Sequence, residues 1–439
     1  MHFKRVVVGL AAALATTLTH AAQPENKAAE TAAPIVLKAS YIFDSKSGRL
    51  ANSGALLVQG DKIVAVGNAA NAPANARVID LGDATLLPGF IDAHVHLGDE
   101  IQKDFYRGFY DSQLRFPVEQ SHYAAMYAKR TLQAGFTTVR NVGAEDFIDI
   151  GLRNAINAGV IPGPRMITAA HTIGSTGGHC DNRPFPPELI KPSGPIQGVC
   201  NGPEECRAAV RYQMKWGADV IKICASGGVL SESDPVDVPQ LTPDELSAIM
   251  TEAHSWKRKV AAHAHGDVAA RLAVEAGVDS IEHGSFLTDA TLQLMKQKGV
   301  YLVPTRLAVY WIEQQAYSYP PVIAAKARAA AAAHGDMFKR ALKIGVPIAF
   351  GTDSGVSPHG MNAKEFALLT ELGMQPAAAL LAGTRESAKL LGVDAEVGTL
   401  EAGKFADVVA VRGNVLEHIA ATEQPVFVMK HGSIVVEPK

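Results

Sequence analysis

Short apolar runs separated by turn signals open the chain, and the pattern changes character near Leu86. Between Ile35 and Ala84, runs such as Ala55–Val58 and Ile63–Val66 alternate with Gly-Asp and Gly-Asn dipeptides. That texture predicts short strands joined by tight turns. It returns from Gly398 onward in Asp407–Val411, Val426–Met429 and Ile434–Val436. Two strand-rich ends around a different middle predict one small β-sandwich domain, assembled from residues 35–85 and 394–439.

Residues 86–393 alternate strand-like and helix-like segments. Strand candidates are Leu86–Val95, Phe136–Val142, Arg165–Ala170, Val220–Cys224, Val260–Ala264, Ser280–Glu282, Val300–Val303 and Pro347–Gly351. Helical patterns such as Ser121–Gln133, Glu204–Trp216, Pro243–Trp256 and Asp289–Lys298 lie between them. This alternation predicts βα units on a parallel sheet. Closing the strands on themselves gives an α/β fold of the (β/α)₈ TIM-barrel type. Two long loops, His171–Pro203 and Ala225–Gln240, follow strands and so fall on the catalytic face of such a barrel. The Ala-rich stretch Ala324–Ala333 reads as plain helical scaffold.

The first residues have a different character. Lys4 and Arg5 precede an uncharged, mostly apolar run from Val6 to Leu18, followed by small residues around Ala21 and Ala22. This is the layout of a secretory signal peptide over residues 1–22. Residues 23–34, polar and Ala-rich, read as a linker. The chain is thus expected to be exported, periplasmic or secreted, with no membrane association once the signal is removed.

Composition narrows the classes. The 439 residues carry a net charge of −3 and no basic block interleaved with aromatics, which argues against a nucleic-acid partner. None of the four cysteines, Cys180, Cys200, Cys206 and Cys224, forms a C-x-x-C pair. In an oxidising compartment Cys180 can pair with Cys200 or Cys206 across the loop. Cys224, on a strand expected to be buried, reads as a packed free thiol.

The chemistry gathers at strand ends. His94 and His96 are alternate residues at the end of the first barrel strand and share a face, as two imidazole ligands of one metal would. Lys222 lies inside an apolar strand, where a charge is costly unless paired or chemically altered. His263 and His265 end the fifth strand, His283 the sixth and Asp353 the eighth. Singly, each reads more readily as a packed or surface residue; jointly they do not.

The set His94-x-His96, Lys222, His263, His283 and Asp353 resembles the binuclear site of the amidohydrolase superfamily. Leu87-Pro-Gly-Phe-Ile-Asp92 is similar to the family's entry into strand one, and Val397–Asp407 to its return to the β domain. The loops Thr176-Gly-Gly-His179 and Ser226-Gly-Gly-Val229 resemble the branch with imidazolonepropionase-like proteins and exported Xaa-Pro or Xaa-Arg/Lys dipeptidases. Enzymes hydrolysing ochratoxin-type N-acyl phenylalanines belong to that branch as well. The resemblance implies two divalent metals, with zinc as the default for mixed imidazole and carboxylate ligands. His94, His96 and Asp353 would hold one metal, His263 and His283 the other, and a carbamylated Lys222 would bridge both. It further implies a homo-oligomer.

The implied reaction is hydrolysis of an amide to a C-terminal amino acid, in a dipeptide or N-acyl amino acid with a free carboxylate. A metal-bound hydroxide attacks the carbonyl, and Asp353 carries its proton to the leaving nitrogen. His265 is assigned a catalytic, substrate-facing role, and His171, His179 and Arg306 are candidates for substrate contacts. Glu232 and Asp234 read as part of a solvated loop, and His334 and His359 as helix and loop residues without a supporting pattern. Opening of a cyclic amide or lactone is the alternative reaction, and a non-catalytic metal-binding protein of the same fold the alternative class.

Overall fold

The computed structural model describes residues 33–438 apart from 68–72, 182–187, 189–190 and 233. The expected signal segment and nearly all of the linker lie outside these residues. Five strands come first: β1 (Ile35–Asp44), β2 (Arg49–Gln59), β3 (Lys62–Val66), β4 (Arg77–Asp80) and β5 (Ala84–Pro88). Seven more alternate with helices: β6 (Phe90–Val95), β7 (Phe136–Asn141), β8 (Arg165–Thr168), β9 (Val220–Cys224), β10 (Lys259–Ala264), β11 (Ser280–His283) and β12 (Tyr301–Val303). The chain ends in β13 (Val408–Arg412), β14 (Phe427–Lys430) and β15 (Ser433–Val436).

The strands of the two ends join in one mixed sheet of order β15-β14-β13-β5-β1-β2-β3, with β4 on β1. β13 adds antiparallel to β5, pairing Val408 with Pro88 and Val411 with Thr85. The C-terminal strands therefore join the first ones through β5, and the chain entering β13 bonds back to β3, Ile63 N to Lys404 O at 2.9 Å. Leu37, Leu56, Leu86, Phe427 and Met429 form the buried cluster on it.

The segment expected as one strand from Leu86 to Val95 changes partners at Gly89. β5 belongs to the terminal sheet and β6 to the parallel one. A Cβ at residue 89 would lie 2.1 Å from the Thr137 hydroxyl oxygen. Only glycine lets the backbone pass this close to β7.

β6-β7-β8 and β9-β10-β11-β12 are parallel ladders, and main-chain bonds connect them at both ends. Ile173, beyond β8, donates to Lys222 O and accepts from Cys224 N, each at 2.8 Å. On the other side, Leu302 N bonds to Pro347 O at 2.9 Å and Ala93 N to Phe350 O at 2.8 Å. The eighth segment thus sits between β12 and β6 through isolated bridges, not as a regular strand. Pro347 has no N–H to give, and Asp353 turns the backbone left-handed (φ 57°), so a continuous ladder cannot form. The whole is a TIM-barrel-type α/β arrangement. Below the site Phe90, Phe136, Phe350 and Phe366 pack together, with ring centroids 4.3–5.6 Å apart.

Local signals set the helices. Thr242 and Glu245 make a reciprocal capping box ahead of helix Pro243–Ser255, with proline in its first turn, which satisfies N–H groups that lack intrahelical partners. Among the described residues, no helix is long and apolar enough to cross a membrane.

The disulfides correct the expected pairing. Cys180 bonds to Cys224, and Cys200 to Cys206. Cys224 closes β9, and the loop after Ile173 folds back over that strand end. This brings the two Cα atoms to 5.9 Å, within disulfide reach. Cys200 meets Cys206 in the first turns of helix Gly202–Lys215.

Candidate metal centre

Alternation on β6 and β10 aims His94, His96 and His263 at the same opening, and His265 follows one residue beyond β10. His283 and Asp353 reach it by another route. Both have positive φ, 71° and 57°, as does Thr305 at 50°. In that backbone region a non-glycine residue costs on the order of 1–2 kcal/mol, and such strain gathers at functional sites. The turn at His283 lets both Glu282 and His283 serve the site, although neighbours on a regular strand would point to opposite faces.

Two groups of donors converge. The Nε2 atoms of His94 and His96 lie 3.3 and 3.4 Å from one Asp353 carboxylate oxygen. His94, His283 and Asp353 offer donor atoms within 4.8 Å of one another, and so do His263, His265 and His283. His283 is common to both groups. His265 therefore stands among possible metal donors as well as on the cavity wall, its ring stacked on His283 at 5.0 Å. Lys222 lines the same cavity.

Hydrogen bonds fix the rings. His94 Nδ1 meets the Glu282 carboxylate at 2.7 Å, which leaves Nε2 facing Asp353. That Nε2 is buried without a hydrogen-bond partner, as a nitrogen awaiting a metal would be. Glu282 also takes a bond from Arg140 at 2.8 Å, and Arg140 in turn donates to Ala93 O at 2.6 Å. His283 Nδ1 is held by the Thr305 hydroxyl at 2.7 Å and His265 Nδ1 by Ser285 at 2.9 Å. Such outer partners orient metal-binding imidazoles.

The electrostatics favour neutral imidazoles and an ionised carboxylate. Burial lowers His96 to about 4 and His265 to about 3, and holds His263 and His283 well below the usual histidine range. Burial alone would raise Asp353, but His94, His96 and Lys222 beside it bring it below its ordinary value. Glu282 falls to about 2, because Arg140 and His94 outweigh its burial. Desolvation lowers Lys222 to about 8, against the pull of Glu282 and Asp353. These residues fit divalent cations: unprotonated nitrogen donors, a carboxylate and no competing positive charge except a depressed lysine.

The cavity beside this cluster is about 370 Å³. Its lining includes His94, His96, Lys222, His263, His265, His283 and Asp353. Apolar side chains of the lining are Val229, Leu230, Val309, Ile312, Ala327 and Ala330. His179 lines the cavity too, with its ring 4.4 Å from that of His263.

Two expected substrate residues do not line this cavity. His171 bonds to Gln213 at 3.2 Å and packs edge-on against Phe147, so its neighbour Thr172 takes the wall instead. Arg306 opens helix Arg306–Gln315 with its N–H on the Glu365 carboxylate at 2.9 Å, and Thr305 and Ala308 form the wall there.

Other readings change as well. Asp234 is buried, accepting from Gly228 N and Gln240 and lying 3.8 Å from Lys326. His334 and His359 are both buried, bonded to Pro304 O and Asp99 O. The Ala-rich helix, Pro321–Ile344, gives the cavity part of its wall. Sequence reasoning missed Glu282 and Arg140. A charged residue in a buried strand is a signal, but it does not say which histidine it supports.

Fold and site together define a barrel-type hydrolase with a metal-ligand cluster at the strand ends. Residues 85–435 match the Amidohydrolase family, and the chain belongs to it. It is 33% identical over 393 residues to ochratoxinase of Aspergillus niger, covering 84% of this chain and 80% of that protein. A crystal structure of a Xaa-Pro dipeptidase with methionine bound in its active site superposes with TM-score 0.86 at 38% identity, over 92% of this chain and 99% of that one. A prolidase complexed with N-methylphosphonate-L-proline gives 0.83 at 29%, over 92% and 100%.

Proposed function

We propose that this protein is an exported, metal-dependent amidohydrolase that cleaves the amide joining a C-terminal amino acid to an apolar acyl or aminoacyl group. One observation carries the reading: imidazoles, Lys222 and Asp353 share the lining of a cavity of about 370 Å³ with a set of apolar side chains. A small amide fits with its carbonyl at the imidazoles and its apolar part on the apolar side chains. The names of the relatives, an ochratoxinase and a Xaa-Pro dipeptidase, support the same bond type.

His94, His96, His263, His283, Asp353 and a carbamylated Lys222 would hold two divalent cations, zinc by its preference for such donors. Bound cations supply an ionised water at neutral pH and polarise a carbonyl. Lys222, lowered to about 8, carries enough neutral amine near neutral pH to take up carbon dioxide. Asp353, ionised and between His94 and His96, accepts the proton of the attacking water and returns it to the leaving nitrogen, which cannot depart as an anion. The rings of His265 and His179 border the space where the scissile carbonyl would lie. Glu282 keeps the Nε2 lone pair of His94 turned inward. The two disulfides are compatible with the oxidising compartment that export supplies.

The test is amino-acid release by zinc-reconstituted protein from dipeptides and N-acyl amino acids with prolyl, basic and aromatic C-terminal residues, beside lactones. Release from one class supports the reading. Turnover of lactones alone refutes the substrate assignment. Asp353→Asn should keep most metal binding while the rate drops ~10²–10⁴-fold, as loss of a general acid–base group does.

A further inference from the structure

We propose that the Cys180–Cys224 disulfide is a positioning element of the active site, holding the His179 imidazole against His263 on the cavity wall. The inference rests on the amide-hydrolysis reading above for its kinetic meaning. Both cysteines line the catalytic cavity. Cys224 ends β9 two residues beyond Lys222, and Cys180 directly follows His179. The bond therefore joins the residue next to His179 to the strand that carries Lys222.

What else holds His179 is non-covalent: the ring of His263 on β10 and hydrogen bonds from one neighbouring loop. Its N–H donates to Gln240 Oε1 at 2.8 Å, and its Nδ1 meets the Ser231 hydroxyl at 3.1 Å. Hydrogen bonds of this kind exchange with water at modest net gain. Of the two disulfides, this one joins the chain beside His179 to a barrel strand. The clearances show how narrow the seat is. A Cβ on Gly228 would lie 2.1 Å from His179 Cε1, and one on Gly174 would lie 2.9 Å from Cys180 Cβ. Such a fit leaves the ring one place to go, provided the chain beside it is anchored.

The second disulfide supplies the contrast. Cys200–Cys206 spans six residues at the start of one helix, and neither cysteine lines the cavity. Cys180–Cys224 spans 44 residues and crosses from loop to barrel. Catalysis is sensitive to displacements of about 1 Å in the groups around a substrate, which can change rates by roughly 10²-fold. The first bond therefore acts on turnover, and the second on stability alone.

The experiment compares four metal-loaded proteins: C200S/C206S, C180S/C224S, H179A and H179A/C180S/C224S. The substrate is whichever amide the unsubstituted protein cleaves best. In C200S/C206S, the remaining disulfide is opened with a water-soluble phosphine. The S–S bond breaks, two thiols form, and the phosphine becomes its oxide with oxygen and protons from water. Expected are a fall in kcat/KM of about tenfold or more with metal content unchanged, recovery on reoxidation, and the same deficit in C180S/C224S.

Loss of the disulfide in the H179A background should change kcat/KM less than twofold, because the bond acts through that ring. Full activity after reduction, or an undiminished further loss in H179A, overturns the proposal. If C180S/C224S does not fold, reversible reduction of C200S/C206S still decides. If no amide is cleaved, the functional reading fails on its own. The clamp is then read from modification of His179 by diethyl pyrocarbonate, followed by mass spectrometry: faster modification after reduction upholds it, and an unchanged rate overturns it.

Discussion

At the residue scale, the Glu282–Arg140 pair decides how His94 behaves. Both side chains are almost fully buried, and removing one partner from such a pair typically costs ~3–5 kcal/mol, since the other charge stays buried and unpaired. Glu282→Gln keeps the volume and removes the charge. Its metal affinity should drop roughly 10–100-fold, as for other outer-shell partners, alongside a comparable loss of stability. Competition titration with a zinc chelator and denaturant unfolding check the two effects. Unchanged affinity would mean that the pair only supports the fold. The candidate donors could be picked out in the chain as candidates, because alternation on a strand and position at its end are local properties. His171 and Arg306 show the limit. Each follows a strand as expected, but Gln213, which holds the His171 ring, and Glu365, which holds the Arg306 backbone N–H, lie 42 and 59 residues away.

At the scale of elements, the helix Pro321–Ile344 shapes the cavity because its inward residues are small. Ala327 and Ala330 line the cavity, where larger side chains would occupy the space for the substrate. Ala330→Leu should raise KM severalfold for bulky acyl groups and less for small ones. It should leave metal content unchanged and lose ~1–3 kcal/mol to overpacking. Steady-state kinetics over a series of acyl sizes checks this, and a uniform effect would place the acyl group elsewhere.

The disulfides differ in the same way. By loop-entropy reasoning, spans of 44 and six residues correspond to ~4 and ~2 kcal/mol of stabilisation. Denaturant midpoints of C180S/C224S and C200S/C206S should fall in that order. The cysteines themselves gave no such ranking. Their pairing depends on how the loop after Ile173 returns over β9, and spacing does not encode that.

For the whole molecule, the buried histidines set the acid limit. Burial lowers His96, His179, His334 and His359 to about 4 and His265 to about 3, and holds His263 and His283 well below the usual histidine range. Unfolded chain takes up these protons below about 6.5 while the fold refuses them, so stability is present above 6.5 and lost as pH falls toward 4. Asp92 and Asp149, raised to about 6, and Glu365, raised to about 8 by burial, act in the opposite sense. They are fewer than the histidines. Metal-free protein should therefore lose stability between pH 6.5 and 4, by about 1.4 kcal/mol per pH unit for each net proton. Thermal unfolding across that range checks it, and a flat profile would show that the rings titrate normally. Chelation at pH 7 should lower the Tm as well, because cations bound to the folded state stabilise it by mass action.

The sequence by itself determined the alternating strand and helix order, the strand-rich ends and the residues able to ligate metal. Each of these follows from side-chain direction and local hydrophobic pattern, which few neighbours suffice to specify. Only the tertiary structure decided the rest. The C-terminal strands extend the first sheet because β13 found the free edge of β5. His94 is oriented by a carboxylate 188 residues away. The loop cysteine Cys180 meets β9, and residues 347–354 reach both β12 and β6 without forming a regular strand. All are contacts between distant segments, set by how the packed elements meet.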